Sequence, residues 1–438
     1  MTSFLDNYRK IYILGIGGSG MSSIAKYLSQ RGMKVEGYDQ RASYITSLLN
    51  NDNITVDFDI NEKVYSEDTL FIVSSAVNIK ETFLANFIDA KNILTRPHFL
   101  QLLSEETKII GITGTHGKTS TTALLAHIFN FNNVDVSYIY GGLTTFYGIG
   151  GHFGDSNLPL ILETDEAFNT FEKIKIENLF VTNIDNDHLD HFGTYENLID
   201  AFSSVIRKVN NKCVLNLDNN ELNKIFDKQN LSVSSKFQSD YTITFPASFT
   251  HMEKSYNVES KLIGEHFISN IVGAVALAKL SGIEINDSLE AVKHFNGVKR
   301  RTEFIGEYNG VQFYDDYGHH PTEILATTKA LKSITEGNLL VIFQPHRYSR
   351  TKSSFKEIKA SFTYADLTIV TDIYSAGEKP IPGVSSANFE SEDITYIKSQ
   401  RLVPQYVKNY IKKGDKVLTL GAGDITLLGP QILQYLNE

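Results

Sequence analysis

The sequence predicts an α/β protein built as three successive segments, and three observations carry that prediction. Short apolar strands run into glycine turns that open helices, first at residues 15–20 and again at 111–119. Further apolar strands in the middle and at the end of the chain each finish in a polar cluster. The composition, 42% hydrophobic and 21% charged over 438 residues, is that of an ordinary globular protein with room for two to four domains.

In the opening segment Ile11-Tyr12-Ile13-Leu14 reads as a strand, Gly15 to Met21 as a glycine turn and Ser22 to about Arg31 as a helix. Gly15, Gly17 and Gly20 fit the dinucleotide fingerprint, with Ser19 inside it. Asp39 follows the next strand, Lys34 to Tyr38, at the distance expected of a ribose-binding acid. The same geometry cradles any diphosphate, so NAD, FAD and a sugar nucleotide all stay open. Phe71 to Ala76 reads as another strand, ending in the small hydroxyl residues Ser74 and Ser75. They suit a loop beside a phosphate or uracil, or a plain strand end.

The middle segment carries the sharper signal. Lys108 to Thr113 reads as a buried strand, Gly114-Thr115-His116-Gly117-Lys118-Thr119-Ser120 as a phosphate-gripping turn, and Thr119 to Phe129 as a helix. Such a turn aims backbone N–H groups and the positive helix end at a phosphate; Lys118 adds a mobile cation and Thr119 a hydroxyl for magnesium. The match to the Walker A pattern is imperfect, because Ile112 stands where a glycine is expected and Gly111 comes one step early. Two later strands end in polar runs, Glu163-Thr164-Asp165-Glu166 and Asn183-Ile184-Asp185-Asn186-Asp187-His188. Ligands collect at the carboxyl ends of strands in open α/β sheets, which makes Glu163 and His188 candidate magnesium ligands beside Thr119. Oxygen donors suit magnesium better than imidazole does. Farther on, Gly264 to Asn270 opens an apolar helix; His266 and Asn270 share one face of it, as ligands or as polar caps.

The last segment repeats the rhythm. Strands at 311–314, 339–343, 367–370 and 417–420 end in Asp315 to Pro321, Gln344 to Arg350, Thr371 to Tyr374 and Gly421 to Asp424. Four polar strand ends from one sheet would converge on one edge, and structural turns do not need three histidines and two arginines.

Composition excludes several classes. A formal charge of -10 argues against general nucleic-acid binding, so anionic ligands need local basic sites such as Lys299-Arg300-Arg301 or His346-Arg347 with Arg350. Cys213 is the single cysteine, which rules out an internal disulfide and a thiolate zinc cluster. No basic region precedes an apolar run at the N-terminus, and no stretch approaches the ~20 apolar residues of a membrane helix. A cytoplasmic location without membrane insertion is expected.

Five stretches together resemble the Mur ligase family, the ATP-dependent amide-forming enzymes of peptidoglycan synthesis. They are Gly15 to Met21, Gly114 to Thr119, Asp315-Asp316-Tyr317-Gly318-His319-His320-Pro321-Thr322-Glu323, Phe343 to Tyr348 and Gly377 to Gly383. The resemblance spans nearly the whole chain. The phosphate loop is shared with folylpolyglutamate synthases, whereas the clusters after 315 and 343 point to the alanine-adding branch.

The resemblance implies an N-terminal Rossmann-like domain for a UDP-sugar (1–105), a central P-loop ATPase-type domain (106–296) and a C-terminal Rossmann-like domain for the amino acid (297–438). It implies a ligase that joins L-alanine to the lactyl carboxylate of UDP-N-acetylmuramate through an acyl phosphate, as a monomer or homodimer serving cell-wall biogenesis and division. ATP and Mg2+ are the implied cofactors, with two ions and Mn2+ able to substitute. By residue, Gly114 to Ser120, His266, Asn270, Arg301 and Asp316 would meet ATP, with Lys118 on the β/γ-phosphates. Thr119 and Glu163 would hold one magnesium ion and His188 a second. Gly17, Ser19, Gly20, Asp39, Ser74 and Ser75 would line the sugar-nucleotide site. Tyr317, His319, Arg347 and Arg350 would bind the amino acid, with His319 as base or orienting group. Two departures stand out: Phe267 replaces an asparagine common at the adenine helix, and Ser203 stands where some relatives carry a carbamylated lysine. A nicotinamide dehydrogenase built on residues 15–20 leaves Lys118 unexplained, and a non-catalytic nucleotide switch needs no arginine-rich pocket.

Overall fold

The computed structural model describes residues 3–59, 64–144, 147–166, 170–187 and 189–438, and it contains three sheets. The first consists of β1 (Lys10–Leu14), β2 (Lys34–Tyr38), β3 (Thr55–Asp57), β4 (Thr69–Val73) and β5 (Ile93–Thr95), in the all-parallel order β3-β2-β1-β4-β5. Period-two alternation decides its faces. Ile11, Ile13, Leu70 and Ile72 point toward the helices Ser19–Gln30 and Arg96–Glu106, whereas Tyr12, Leu14, Phe71 and Val73 form a smaller cluster on the other side. The chain reverses between β1 and β4, which places a ligand crevice at the carboxyl end of β1. The first helix begins at Ser19 rather than Ser22, and β4 ends at Val73, leaving Ser74 and Ser75 in the turn that follows.

The second sheet has ten strands: β6 (Ile109–Thr113), β7 (Ser137–Thr144), β8 (Gly148–His152), β9 (Leu160–Glu163), β10 (Asn178–Val181), β11 (Lys212–Asn216), β12 (Leu231–Ser234), β13 (Tyr241–Thr244), β14 (Ser248–His251) and β15 (Lys254–Asn257). Their order is β15-β14-β13-β12-β11-β10-β6-β9-β7-β8. The interior from β7 to β13 is parallel, and antiparallel partners close both ends. β6 is buried along its whole length, as expected of a central parallel strand covered on both faces. The helix Glu265–Leu280 is apolar nearly all round and buried from Phe267 to Ala278. Gly273 brings it onto β10, because a Cβ there would lie 2.1 Å from the Phe180 ring.

The third sheet comprises β16 (Glu303–Tyr308), β17 (Val311–Asp316), β18 (Leu339–Phe343), β19 (Leu367–Val370), β20 (Ile394–Tyr396) and β21 (Lys416–Leu420), ordered β16-β17-β21-β18-β19-β20. All pairs but β16 with β17 are parallel. Leu339, Val341 and Phe343 join the core under helices Pro321–Ser333 and Phe355–Ala360, whereas Leu340 and Ile342 join the core under Val403–Tyr410 and Leu428–Asn437.

By its contacts the chain forms two compact units, one of Met1–Lys261 with Ile268–Asn296, the other of Leu262–Phe267 with Gly297–Glu438. The first two sheets share the first unit. There the helix Ser19–Gln30 lies against the β7–β8 hairpin: Ser23 Oγ donates to the Tyr140 carbonyl at 2.7 Å, and Lys26 Nζ to that of Tyr147 at 3.1 Å.

Candidate active site

The phosphate loop leaves β6 and enters the helix Lys118–Phe131 through two glycines in left-handed conformations, Gly114 at φ 127° and Gly117 at φ 86°. Both positions also lack room for a side chain. A Cβ on Gly114 would meet Thr182 Oγ1 at 2.1 Å, and one on Gly117 would meet the Asn270 amide at 2.7 Å. No side chain caps Gly117, so the helix presents its first N–H groups at the loop.

The end of β10 fastens this loop. His116 N donates to Asn183 Oδ1 at 2.9 Å, Thr115 N to the Asn183 carbonyl at 3.1 Å and Asp185 N to Thr115 Oγ1 at 2.9 Å. Thr182 Oγ1 and Asn183 Nδ2 both donate to the His116 carbonyl, and the His116 ring lies 3.1 Å from Asp185 Oδ2. Lys118 Nζ donates to the carbonyls of Gly114 at 2.6 Å and Thr115 at 3.1 Å, and pairs with Glu166 at 2.9 Å. Burial opposes the lysine's charge, but Glu166, Asp165 and Glu163 outweigh it and hold the ammonium above its ordinary range.

Thr119 and Glu163, the pair expected to share a magnesium ion, lie side by side. Thr119 Oγ1 donates to Glu163 Oε1 at 2.9 Å, and the other Glu163 oxygen accepts from Gly141 N at 2.7 Å. Two hard oxygen donors beside a phosphate loop fit a magnesium ion. Ser120 is buried in the first turn of the helix, and Asn270 reaches Gly117 from the helix Glu265–Leu280. His188 lies outside the described residues.

At the other glycine turn, Gly17 N donates to Asp39 Oδ2 at 2.8 Å, so Asp39 closes the turn that it follows in sequence by one strand. Gly15, at φ 77°, leaves no room for a side chain beside Ser74, whose Oγ accepts from Ala76 N at 3.3 Å. Ser75 is the next residue of that turn and half-buried. Gly20 faces Arg96: its missing Cβ would sit 3.2 Å from the guanidinium, which lies 3.9 Å from Asp165. A Cβ on Gly141 would lie 3.4 Å from Ser19 Oγ and 3.6 Å from Glu163 Oε2. One bare stretch of β7 therefore separates the glycine turn from the phosphate loop.

In the second unit, the ends of β17, β18 and β19 bring Tyr317, His319, His346 and Tyr374 into a row. Tyr317 and His319 meet edge to face with centroids 5.4 Å apart, His319 and His346 are 5.6 Å apart, and His346 stacks on Tyr374. Arg300 and Arg301 each lie 5.0 Å from the Tyr317 ring, so that ring is clasped by two cations. Burial pushes His346 down to about 4, helped by His319, Arg350 and Arg347, with Glu378 opposing. Arg347 holds φ 68°, unusual for a residue with a side chain, and opens the short helix Tyr348–Ser353. Glu323, quoted in the sequence motif but given no role there, accepts from His319 N at 3.0 Å and lies 3.8 Å from Arg301. His266 is half-buried, and the open conformation of Gly264 (φ 123°) lets its ring fold back over that glycine.

Asp316 braces the local backbone. It accepts from Gly318 N and from Thr302 N, each at 2.7 Å, and ties down a segment in which Arg300 and Thr302 adopt left-handed conformations. Burial pushes its carboxyl up to about 6, with Arg301 and the backbone donors opposing. A carboxyl whose folded value is raised contributes stability that is present at low pH and lost as pH rises through that value. Relative to Asp316→Asn, the wild type should therefore gain stability from pH 7 to pH 5, at up to about 1.4 kcal/mol per unit. Denaturant unfolding of both proteins at pH 5, 6 and 7 checks this; a constant difference would show that Asp316 does not change protonation.

Three family models match the chain in succession: the Mur ligase family catalytic domain over residues 10–107, the Mur ligase middle domain over 112–278 and the Mur ligase glutamate ligase domain over 300–423. The UDP-N-acetylmuramate–L-alanine ligase of Geotalea daltonii is 34% identical over 98% of each chain, and that of Dictyoglomus turgidum is 34% identical over 98% of this chain and 97% of its own. Among solved structures, the UDP-N-acetylmuramate-alanine ligase of Thermotoga maritima has the same fold at a TM-score of 0.82, with 24% identity over 98% of this chain and 99% of that one. A murein peptide ligase from Psychrobacter arcticus matches at 0.68, with 22% identity and coverage of 98% and 99%. With relatives this similar from end to end, and with a phosphate loop, a second glycine turn and a histidine–arginine cluster each set at strand ends, the chain belongs to the Mur ligase family.

Proposed function

We propose that this protein joins L-alanine to the lactyl carboxylate of UDP-N-acetylmuramate at the expense of ATP, in peptidoglycan precursor synthesis. The observation that carries this reading is the end-to-end likeness, at 34% identity, to ligases of that name. We divide the chain at 105/106 and 296/297 into sugar-nucleotide, ATP and amino-acid domains. Among the described residues no helix is long and apolar enough to cross a membrane. We place the enzyme in the cytoplasm, as a monomer or homodimer acting on small molecules.

A carboxylate is too poor an electrophile for an amine. It first attacks the γ-phosphorus of ATP; ADP leaves and an acyl phosphate results. The amine nitrogen then attacks the acyl carbon and the C–N bond forms; the acyl C–O bond breaks, phosphate departs with its electrons, and the nitrogen gives up a proton to His319 acting as base. The first step brings two anions together, and Lys118, turning from the loop carbonyls to the β/γ-phosphates, offsets their repulsion. Gly114 to Ser120 wrap the phosphates, while Asn270, His266, Arg301 and Asp316 serve the nucleotide. Thr119 and Glu163 would hold Mg2+, which supplies further charge neutralisation. A second ion at His188 and replacement by Mn2+ belong to the same reading.

Gly17, Ser19, Gly20, Asp39, Ser74 and Ser75 bind the sugar nucleotide, next to the phosphate loop across Gly141. Tyr317 and His319 position the amino acid, and Arg347 and Arg350 take its carboxylate. His319 is suited to orient the amine, because its N–H and ring are fixed by Glu323 and the Tyr317 carbonyl.

The test is phosphate release with ATP, Mg2+ and UDP-N-acetylmuramate held fixed and the acceptor varied among alanine, glycine, serine and the murein tripeptide. Alanine should give the highest kcat/KM. Release that depends on the tripeptide and ignores alanine would overturn the assignment.

A further inference from the structure

Glu166 closes the polar run that begins at Glu163, and none of the roles above employs it. Its carboxylate is 1% exposed and lies 2.9 and 3.1 Å from Lys118 Nζ. The same ammonium donates to the carbonyls of Gly114 and Thr115. An ammonium has three N–H donors, and here all three are directed into the protein. A phosphate oxygen that takes one of them must displace an acceptor already in place.

The acceptors are unequal. The two carbonyls are neutral and belong to a loop that is independently fastened to Asn183 and Asp185. Glu166 is charged and buried, and a buried ion pair is costly to break because each partner leaves the other uncompensated. Lys118 should therefore exchange its carbonyl bonds first and remain shared between Glu166 and the phosphates.

We propose that Glu166 is an internal competitor for Lys118, a positioning residue that retains the lysine in the loop and lowers nucleotide affinity in return. The proposal rests on the reading of residues 114–119 as the ATP site. It has a thermodynamic consequence with an unusual sign. A neutral residue at 166 leaves the buried ammonium with less countercharge in the nucleotide-free protein, whereas bound phosphates replace what was removed. Nucleotide binding is then more favourable, although the protein alone is less stable. A residue that merely oriented Lys118 for binding would, when neutralised, weaken affinity.

The experiment measures binding of the β,γ-imido analogue of ATP with Mg2+ by calorimetry, and thermal unfolding with and without that analogue. For Glu166→Gln the expected results are a Kd lowered about fivefold to twentyfold, a lower Tm without nucleotide, and a Tm difference that narrows at saturation. In a Lys118→Ala background the same substitution should leave Kd unchanged. Glu166→Asp, which keeps the charge but withdraws it from Lys118, should shift Kd in the same direction by a smaller factor and covers the case in which the glutamine variant does not fold. A Kd that stays the same or rises in Glu166→Gln and Glu166→Asp, with the wild type binding normally, overturns the proposal alone. Failure of the wild type to bind the analogue overturns the reading of the loop as well.

Discussion

Lys118→Ala should reduce ligation by at least about a thousandfold in kcat/KM, the scale expected when a preorganised charge is removed from a phosphoryl-transfer site. Stability should fall with it. The substitution leaves Glu166 buried beside the loop without its cation, a situation that typically costs about 3–5 kcal/mol. The two losses are separable. In the double variant Lys118→Ala/Glu166→Gln the uncompensated charge is gone, so most of the stability should return while ligation stays abolished. Chemical denaturation of the three proteins beside a phosphate-release assay makes the comparison. A single variant as stable as the wild type would mean that the pair contributes little to folding, and one with more than a tenth of wild-type activity would remove Lys118 from the chemistry.

Arg347→Lys is expected to raise the KM for alanine about tenfold to a hundredfold and to change the KM for ATP by less than threefold. A guanidinium presents two parallel N–H donors to a carboxylate, and an ammonium on a flexible stem does not reproduce that fork. Arg347 also has its backbone fixed in a left-handed conformation, with its N–H donating to the Tyr374 carbonyl at 2.8 Å, so the lysine would start from the same place and differ only in its head group. Initial rates with one substrate varied at a time decide the matter. Equal increases in both KM values would assign Arg347 to something other than the amino-acid carboxylate.

What the sequence made legible is what lies along one stretch of chain. Gly114 to Thr119, the strand before them and the helix after them are consecutive, and both glycines are explained by conformations that only glycine adopts readily. Glu163 was visible for a related reason: strands of a parallel sheet present their carboxyl ends on one edge, so a polar residue there is conspicuous. The order β9-β6-β10 was not visible, and it decides that Asn183 and Asp185 brace the loop from one side while Glu163 and Glu166 reach it from the other. Glu166 was quoted as part of a polar run, but nothing in a run of four says which member is buried against a lysine 48 residues away. The β7–β8 hairpin went unread because Ser137 to His152 is rich in glycine and tyrosine and lacks the clean apolar core of its neighbours. Asp316 was read as a ligand to nucleotide from its motif, while its local work, holding a strained connection between Arg300 and Gly318, depends on two backbone N–H groups that no side-chain pattern reveals.

The bare backbone at Gly141 divides the reaction into two parts of different kind. The first glycine turn and the phosphate loop share one compact unit, with only a strand's thickness of peptide between Ser19 and Glu163, so the spacing of the two proposed substrate sites is set within a single fold. The histidine and arginine cluster belongs to the other unit. In the proposed assignment the groups that activate the carboxylate come chiefly from the first unit, and those that hold the amino acid come from the second. Isotope exchange between ADP and ATP in the absence of amino acid becomes the natural window on the first part alone.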